Sequence, residues 1–283
     1  MIDTTPPVST LPYPPLHADK KFVALSDWDG TITNRDSNDY MTDNLGFGPE
    51  KRRAGNLAIL AGKETFRDAF KVMLDSVVAN GHSWEECKEV LKKNIILDVG
   101  FRNFYDFCKS KDIPVVIISS GMAPLIRAVL SKLIGDDEAE KIEIIANDVE
   151  VREDGSWEIK YRHPSSGFGH DKSQAILPYR ALPNPPTTFF FGDGVSGNIF
   201  DYSSRVRTVL TLSLPFLDMS AARHADLLFV KQKPGADNDL SAFCRREGIP
   251  HVQFEDFNRA LDLVKRVVDG NITVKEALEV GTA

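Results

Sequence analysis

Short apolar runs alternate with helix-patterned stretches along most of this chain, and that alternation limits its fold more than any other feature. Phe22-Val23-Ala24-Leu25-Ser26 and Pro114-Val115-Val116-Ile117-Ile118 are nearly uninterrupted apolar runs, as strands buried on both faces are. Residues 142–146, 187–191 and 227–230 read the same way. Phe66, Ala69, Phe70, Met73, Leu74 and Val77 recur at three- and four-residue steps, the stripe of a half-buried helix. Ser83-Trp84-Glu85-Glu86 supplies an N-cap serine with a supporting glutamate, opening another helix toward Leu91. Further helices are predicted over 101–109, from Gly121 toward Leu133, and over 171–177, 240–247 and 257–268. Residues 149–151 and 157–161, joined by Glu153-Asp154-Gly155-Ser156, read as a β-hairpin. Elsewhere helices separate the strands, so the expectation is an α/β fold with a mostly parallel sheet covered on both faces. The stretch 34–97 adds a small helical unit inserted after the first strand.

Composition removes several functional classes. The chain has 283 residues, 42% of them hydrophobic, enough for a large core without disulfides or a structural metal. Its net charge of -7 argues against a general nucleic-acid binder, whose affinity comes from neutralising phosphates. No apolar run approaches the roughly 18 residues of a membrane helix, so no membrane partner is expected. Cys87, Cys108 and Cys244 are widely spaced and form no CxxC or zinc pattern, which suggests reduced thiols in a cytoplasmic protein. The opening Met-Ile-Asp-Thr-Thr-Pro-Pro lacks the charged-then-apolar order of a secretory signal. Five prolines within residues 1–20 predict a disordered or polyproline-like tail. Monomer and homodimer both remain open.

In an open α/β sheet, ligands bind beyond the carboxyl ends of the strands. Asp27-Trp28-Asp29-Gly30-Thr31 follows the first strand, and alternate residues of an extended loop face one way, so both carboxylates can share a pocket. Ser119-Ser120-Gly121 follows the second apolar run and offers a hydroxyl and loop N–H groups at a helix start, suited to an anion. Lys172 stands at another predicted helix start, after Gly169-His170-Asp171, and Gly192-Asp193-Gly194 follows the run 187–191. Each piece alone is weak: a serine or lysine there is usually a cap or a solvated side chain, and Gly-Asp-Gly is commonly a turn. Their order and placement carry the argument.

That order resembles the haloacid-dehalogenase-like (HAD) phosphohydrolases, in particular their phosphoserine-phosphatase-like branch with a helical cap. The run from Asp27-Trp28-Asp29-Gly30-Thr31-Ile32-Thr33, through Ile118-Ser119-Ser120-Gly121-Met122 and Phe168-Gly169-His170-Asp171-Lys172-Ser173, to Phe191-Gly192-Asp193-Gly194-Val195-Ser196 looks like a fungal group of cytosolic phosphatases acting on polyol phosphates and similar small phosphomonoesters. The resemblance implies a Rossmann-like core over 21–33 and 98–283 and a cap over 34–97. It implies Asp27 as a nucleophile forming an aspartyl-phosphate, and Asp29 as acid and then base. Ser119, Ser120 and Lys172 would hold the phosphoryl group. Mg²⁺ would be ligated by Asp27, by the main-chain carbonyl of Asp29 and by Asp193, with Asp218 as a supporting acid. The partner would be a small phosphorylated metabolite.

Two departures stand out. Family members place a second aspartate within a residue or two of the fourth motif. Here the 21 residues 197–217 intervene before Asp218-Met219-Ser220-Ala221-Ala222. Three readings compete: a true insertion, a displaced acid at Asp201, or a retained intron of whole codons. If the segment is real, Asp218 is at risk of leaving the metal site, and the chain would then be a silent phosphate-binding protein. The second departure concerns substrate. Phosphoserine phosphatases carry a glutamate nine residues after the nucleophile and an arginine in the cap; Asp36 and, by gapless alignment, Met73 occupy those positions. That favours an uncharged, hydroxyl-rich leaving group over phosphoserine or pyridoxal phosphate, with Asp36, Asn38 and Asp39 as hydroxyl partners. Arg67 or Lys71 would supply the missing charge if the alignment slips. A capping loop is an equally good reading of Asp36, Asn38 and Asp39.

Overall fold

A computed structural model of the chain describes residues 6–194, 217–232 and 239–281. The elements run β1 (Phe22–Ser26), a wide turn (Trp28–Ile32), α1 (Ser37–Leu45), α2 (Pro49–Leu60), α3 (Phe66–Ala79), α4 (Trp84–Asn94), α5 (Phe101–Ser110), β2 (Val115–Met122), α6 (Ala123–Ile134), α7 (Asp136–Ala139), β3 (Glu143–Val151) and β4 (Trp157–Lys160). Then follow α8 (Ser173–Arg180), β5 (Thr187–Gly192), α9 (Leu217–Ala222), β6 (Leu227–Lys231), α10 (Asp239–Glu247), β7 (Val252–Phe254), α11 (Phe257–Val268) and α12 (Val274–Gly281).

The strands form one sheet in the order β4-β3-β2-β1-β5-β6-β7. Every pairing is parallel except the β3–β4 hairpin. The chain steps from β1 outward to β2 and β3, then returns to β5 on the other side of β1. The strand order therefore reverses beside β1, and that reversal opens a crevice at its carboxyl end. All five β1 residues are buried. Phe22 and Ala24 join the core on one face with α5, α6 and α11; Val23 and Leu25 join the other with α8, α9 and α10. This two-sided burial explains why the strand shows no polar alternation.

The inserted stretch contains four helices. Thr65 caps α3 by accepting from Asp68 N, and Ser83 caps α4 by accepting from Glu86 N. The chain enters and leaves the stretch through an antiparallel bridge between Thr33 and Leu97.

Several expectations need correction. The expected strands 142–146 and 149–151 are one strand, β3 (Glu143–Val151), because buried Asn147 interrupts the apolar pattern while its side chain is fully hydrogen-bonded inside. The short elements α7 and β7, and the terminal α12, are additional to those expected. The N-terminal segment is also not a free tail over its described part. Thr10 N donates to Arg162 O (2.8 Å), Tyr13 Oη meets His163 Nε2 (3.0 Å) and His17 Nε2 meets Glu143 (2.8 Å). Prolines lack an N–H, so an extended proline-rich segment can lie against the core with few donors to satisfy. The anomalous segment 197–217 and its candidate acid Asp201 lie outside the described residues, Leu217 excepted.

Candidate active site

Asp27 continues the β1 ladder by donating its N–H to Phe191 O (2.8 Å). The following turn places Asp29 at φ -73°, ψ 120° and Gly30 at φ 75°, a left-handed conformation that favours glycine. Trp28 between them is fully buried, and both carboxylates line the cleft at the strand end. Lys172 Nζ lies 2.5 Å from Asp27 Oδ1 and 2.7 Å from Asp218 Oδ1. Asp218 also accepts from Gly194 N (3.0 Å), and a Cβ on Gly192 would come within 2.6 Å of Asp218 Oδ2, so Gly192 is needed for that approach. Asp27, Asp193 and Asp218 present carboxylate oxygens that all lie within 4.8 Å of one another. Asp218 thus reaches the cluster despite the 21 preceding residues.

Three buried carboxylates against one lysine leave local negative charge. Burial, reinforced by Asp218 and Asp193, pushes the Asp27 carboxyl well above its usual range although Lys172 opposes the shift. Burial pulls Lys172 down, but Asp218 and Asp27 win and hold it above its ordinary value, so it stays charged. An all-oxygen, over-acidic pocket fits a hard divalent cation such as Mg²⁺.

Asp29 is held by the start of α1. Its Oδ1 accepts from Ser37 N (2.7 Å) and Ser37 Oγ (2.5 Å), and its Oδ2 from Asn38 Nδ2 (2.8 Å). Burial and the nearby Asp36 raise its pKa well above normal despite these donors. Asp36 itself caps α1 through Asn38 N and Asp39 N, and Asp39 pairs with buried Arg52 (2.8 Å), which also grips Asp43. Asp36, Asn38 and Asp39 all line the cleft, so they have structural tasks as well as access to a ligand. Met73 lines it too, whereas Arg67 pairs with Asp68 and Lys71 with Asp75.

Ser119 and Ser120 form the opposite rim. Ser119 Oγ accepts from Gly121 N (3.0 Å), and buried Ser120 Oγ has no protein partner. A Cβ on Gly121 would press on Asn38 Nδ2 at 3.2 Å and Ser119 Oγ at 3.3 Å, so glycine lets this loop approach Asp29 closely. Two residues that motif reasoning missed hold the loop's carbonyls: His170 Nδ1 donates to Ser119 O (2.7 Å) and Asn147 Nδ2 to Ser120 O (2.7 Å). The polar break after the run 142–146 and the histidine beside Lys172 were the available signals. Burial keeps His170 neutral, well below its ordinary pKa.

The profile of the haloacid dehalogenase-like hydrolases matches residues 24–196. The chain belongs to this family. It is 45% identical over 240 residues to Pdp3-interacting factor 1 of Schizosaccharomyces pombe, covering 84% of this chain and 92% of that one. It is 37% identical over 268 residues to the polyol phosphate phosphatase PYP1 of Saccharomyces cerevisiae, covering 92% and 99%. Phosphoserine phosphatase from T. onnurineus shares the fold with a TM-score of 0.51 at 18% identity, covering 87% of this chain and 94% of that one. This HAD-like hydrolase is a phosphatase. Among the described residues, no helix is long and apolar enough to cross a membrane.

Proposed function

We propose that this phosphatase hydrolyses the phosphomonoester of a small polyhydroxylated metabolite in the cytosol, through an aspartyl-phosphate on Asp27. The observation that carries the reading is the buried Asp27 carboxylate, held by Lys172 and close to the carboxylates of Asp193 and Asp218. Asp27 attacks phosphorus and the bond to the leaving oxygen breaks. Asp29, kept protonated by burial, gives its proton to that oxygen and an alcohol departs. Asp29, now a carboxylate, takes a proton from water, which attacks phosphorus, regenerates Asp27 and releases inorganic phosphate. Lys172, Ser119 and the N–H of Ser120 hold the phosphoryl oxygens and offset their charge. A bound Mg²⁺, held by Asp27, Asp193, Asp218 and the Asp29 carbonyl, would supply the positive charge that lets an anionic carboxylate approach an anionic phosphate. PYP1 by its name acts on polyol phosphates, and Met73 standing where phosphoserine phosphatases carry an arginine also supports an uncharged leaving group.

The test is hydrolysis of a panel of phosphorylated metabolites with Mg²⁺. Wild-type protein should favour polyol phosphates over phosphoserine and lose activity on chelation. Asp27→Asn should lower kcat by roughly a thousand-fold or more, and beryllofluoride should label Asp27. An Asp27→Asn variant that still turns over removes the nucleophile assignment.

A further inference from the structure

The helical insertion supplies the far wall of the cleft. Phe66, Phe70 and Met73 of α3 and Ile59 of α2 make that wall largely apolar, and Asn56 of α2 interrupts it. Asn56 is 9% exposed, and its Nδ2 is buried without a hydrogen-bond partner. Asn38 of α1, which lines the same cleft, is 7% exposed, and its Oδ1 is likewise buried and unpartnered while its Nδ2 holds Asp29. Buried polar atoms are nearly always paired, so a lone donor and a lone acceptor lining one ligand cleft point to a group the ligand brings. A hydroxyl both donates and accepts, and so satisfies both atoms. A carboxylate offers only acceptors and an ammonium only donors.

Charge supports the same occupant. Among the described residues lining the cleft, Lys172 is the one cation, and it is held by Asp27 and Asp218. Protonated Asp29, Asp36 and Asp39, the last paired with Arg52, line the same space, so a second anionic group on the substrate would meet acidic side chains and no further cation in the cleft lining. Asn38 touches Asp29, the proposed donor to the leaving oxygen, which puts the hydroxyl it would read near the scissile ester.

We infer that Asn56, together with Asn38 in the same cleft lining, is the specificity-determining residue for a leaving group that carries a hydroxyl close to the phosphate ester and no charge. The inference rests on the phosphomonoesterase reading. The apolar wall of α3 packs against the carbon chain, and Asn56 supplies the polar check that separates a polyol from an alkyl chain.

The experiment compares kcat/KM for glycerol 3-phosphate, n-propyl phosphate and p-nitrophenyl phosphate, with Mg²⁺, in wild type, Asn56→Leu and Asn56→Ser. Propyl phosphate keeps the three-carbon chain and lacks the hydroxyls. Wild type should prefer glycerol phosphate. Asn56→Leu should lose roughly ten- to hundred-fold more on glycerol phosphate than on propyl phosphate, mostly in KM, so that the preference collapses. Asn56→Ser, which keeps a small donor, should recover part of it. Equal losses on all three substrates, or an unchanged preference, overturn the inference. Turnover of p-nitrophenyl phosphate with no wild-type preference for glycerol phosphate overturns it while leaving the phosphatase reading intact; no turnover of any ester overturns both.

Discussion

Asp29 accepts three hydrogen bonds and is still driven toward its protonated form, because burial and the neighbouring Asp36 outweigh the donors. That balance suits an acid that must give its proton only when an alkoxide develops. It also makes a leaving-group prediction. Asp29→Asn should slow the first phosphoryl transfer from an alkyl phosphate by roughly 10²–10⁴-fold, and that from p-nitrophenyl phosphate by much less, because nitrophenolate departs without a proton; the water step, which needs the same group as base, slows for both. Single-turnover release of each alcohol on one preparation checks it; equal losses in that first step would mean that Asp29 is not its acid. The residues of this proposed site could be picked out in sequence because each sits just past a strand end or at a helix start. Asn56, Asn147 and His170 were not. They act through contacts made across the fold: the polar break at Asn147 and the histidine near Lys172 are faint signals, and nothing in the local sequence around Asn56 distinguishes an amide facing a ligand cleft from one facing water.

At the scale of elements, the long-range question is the stretch 197–217. Gly194 N donates to Asp218 at 3.0 Å, so the two described ends of the chain meet at the site. Val195 and Ser196 alone could join Gly194 to Asp218, since consecutive Cα atoms are about 3.8 Å apart. Deleting 197–217 should therefore give a folded enzyme whose kcat and Tm match or exceed those of the full chain, read by p-nitrophenyl phosphate turnover and thermal melting. A deletion protein that aggregates or loses activity would show that the stretch contributes to the fold. The legibility of the other elements followed burial. β1, β2 and β6 are buried along their whole length, and β5 from Thr188 onward, and they announce themselves as apolar runs. α1 and α2 were hidden because polar residues such as Asp39, Asp43 and Arg52 face one another within the insertion rather than water. β7 alternates buried, exposed, buried over three residues, too short a pattern to separate from a loop.

The whole molecule is knitted together by a polar network that runs from the N-terminal segment to the phosphate rim. Arg162 Nη1 donates to Leu11 O and Pro12 O (both 3.1 Å); its N–H donates to Asn147 Oδ1 (2.8 Å), and Asn147 holds Ser120. His163 lies inside this network. Its Nδ1 accepts from Asp171 N (3.0 Å), so Nε2 carries the proton and donates to Tyr13 Oη (3.0 Å). Protonating Nδ1 would set two N–H groups against each other. Burial lowers the His163 pKa to about 4, with Arg162 adding to the shift and Asp171 opposing it. An unfolded histidine titrates near 6.5, so between that pH and about 4 the unfolded chain binds a proton that the folded chain refuses. The contribution is fully present above pH ~6.5 and fades as pH falls. Asp29 runs the other way, since burial and Asp36 raise its pKa and so favour the folded state on acidification. The wild-type melting curve sums both trends. Comparison with His163→Gln, which keeps an amide donor and acceptor but cannot titrate, isolates the histidine. Wild type should melt above His163→Gln at pH 7–8, and the difference should shrink steadily from pH ~6.5 toward pH ~4.5, with Mg²⁺ present throughout. A difference that stays constant across that range would mean that His163 protonates equally in both states, and that its place between Tyr13 and Asp171 does not hold it neutral.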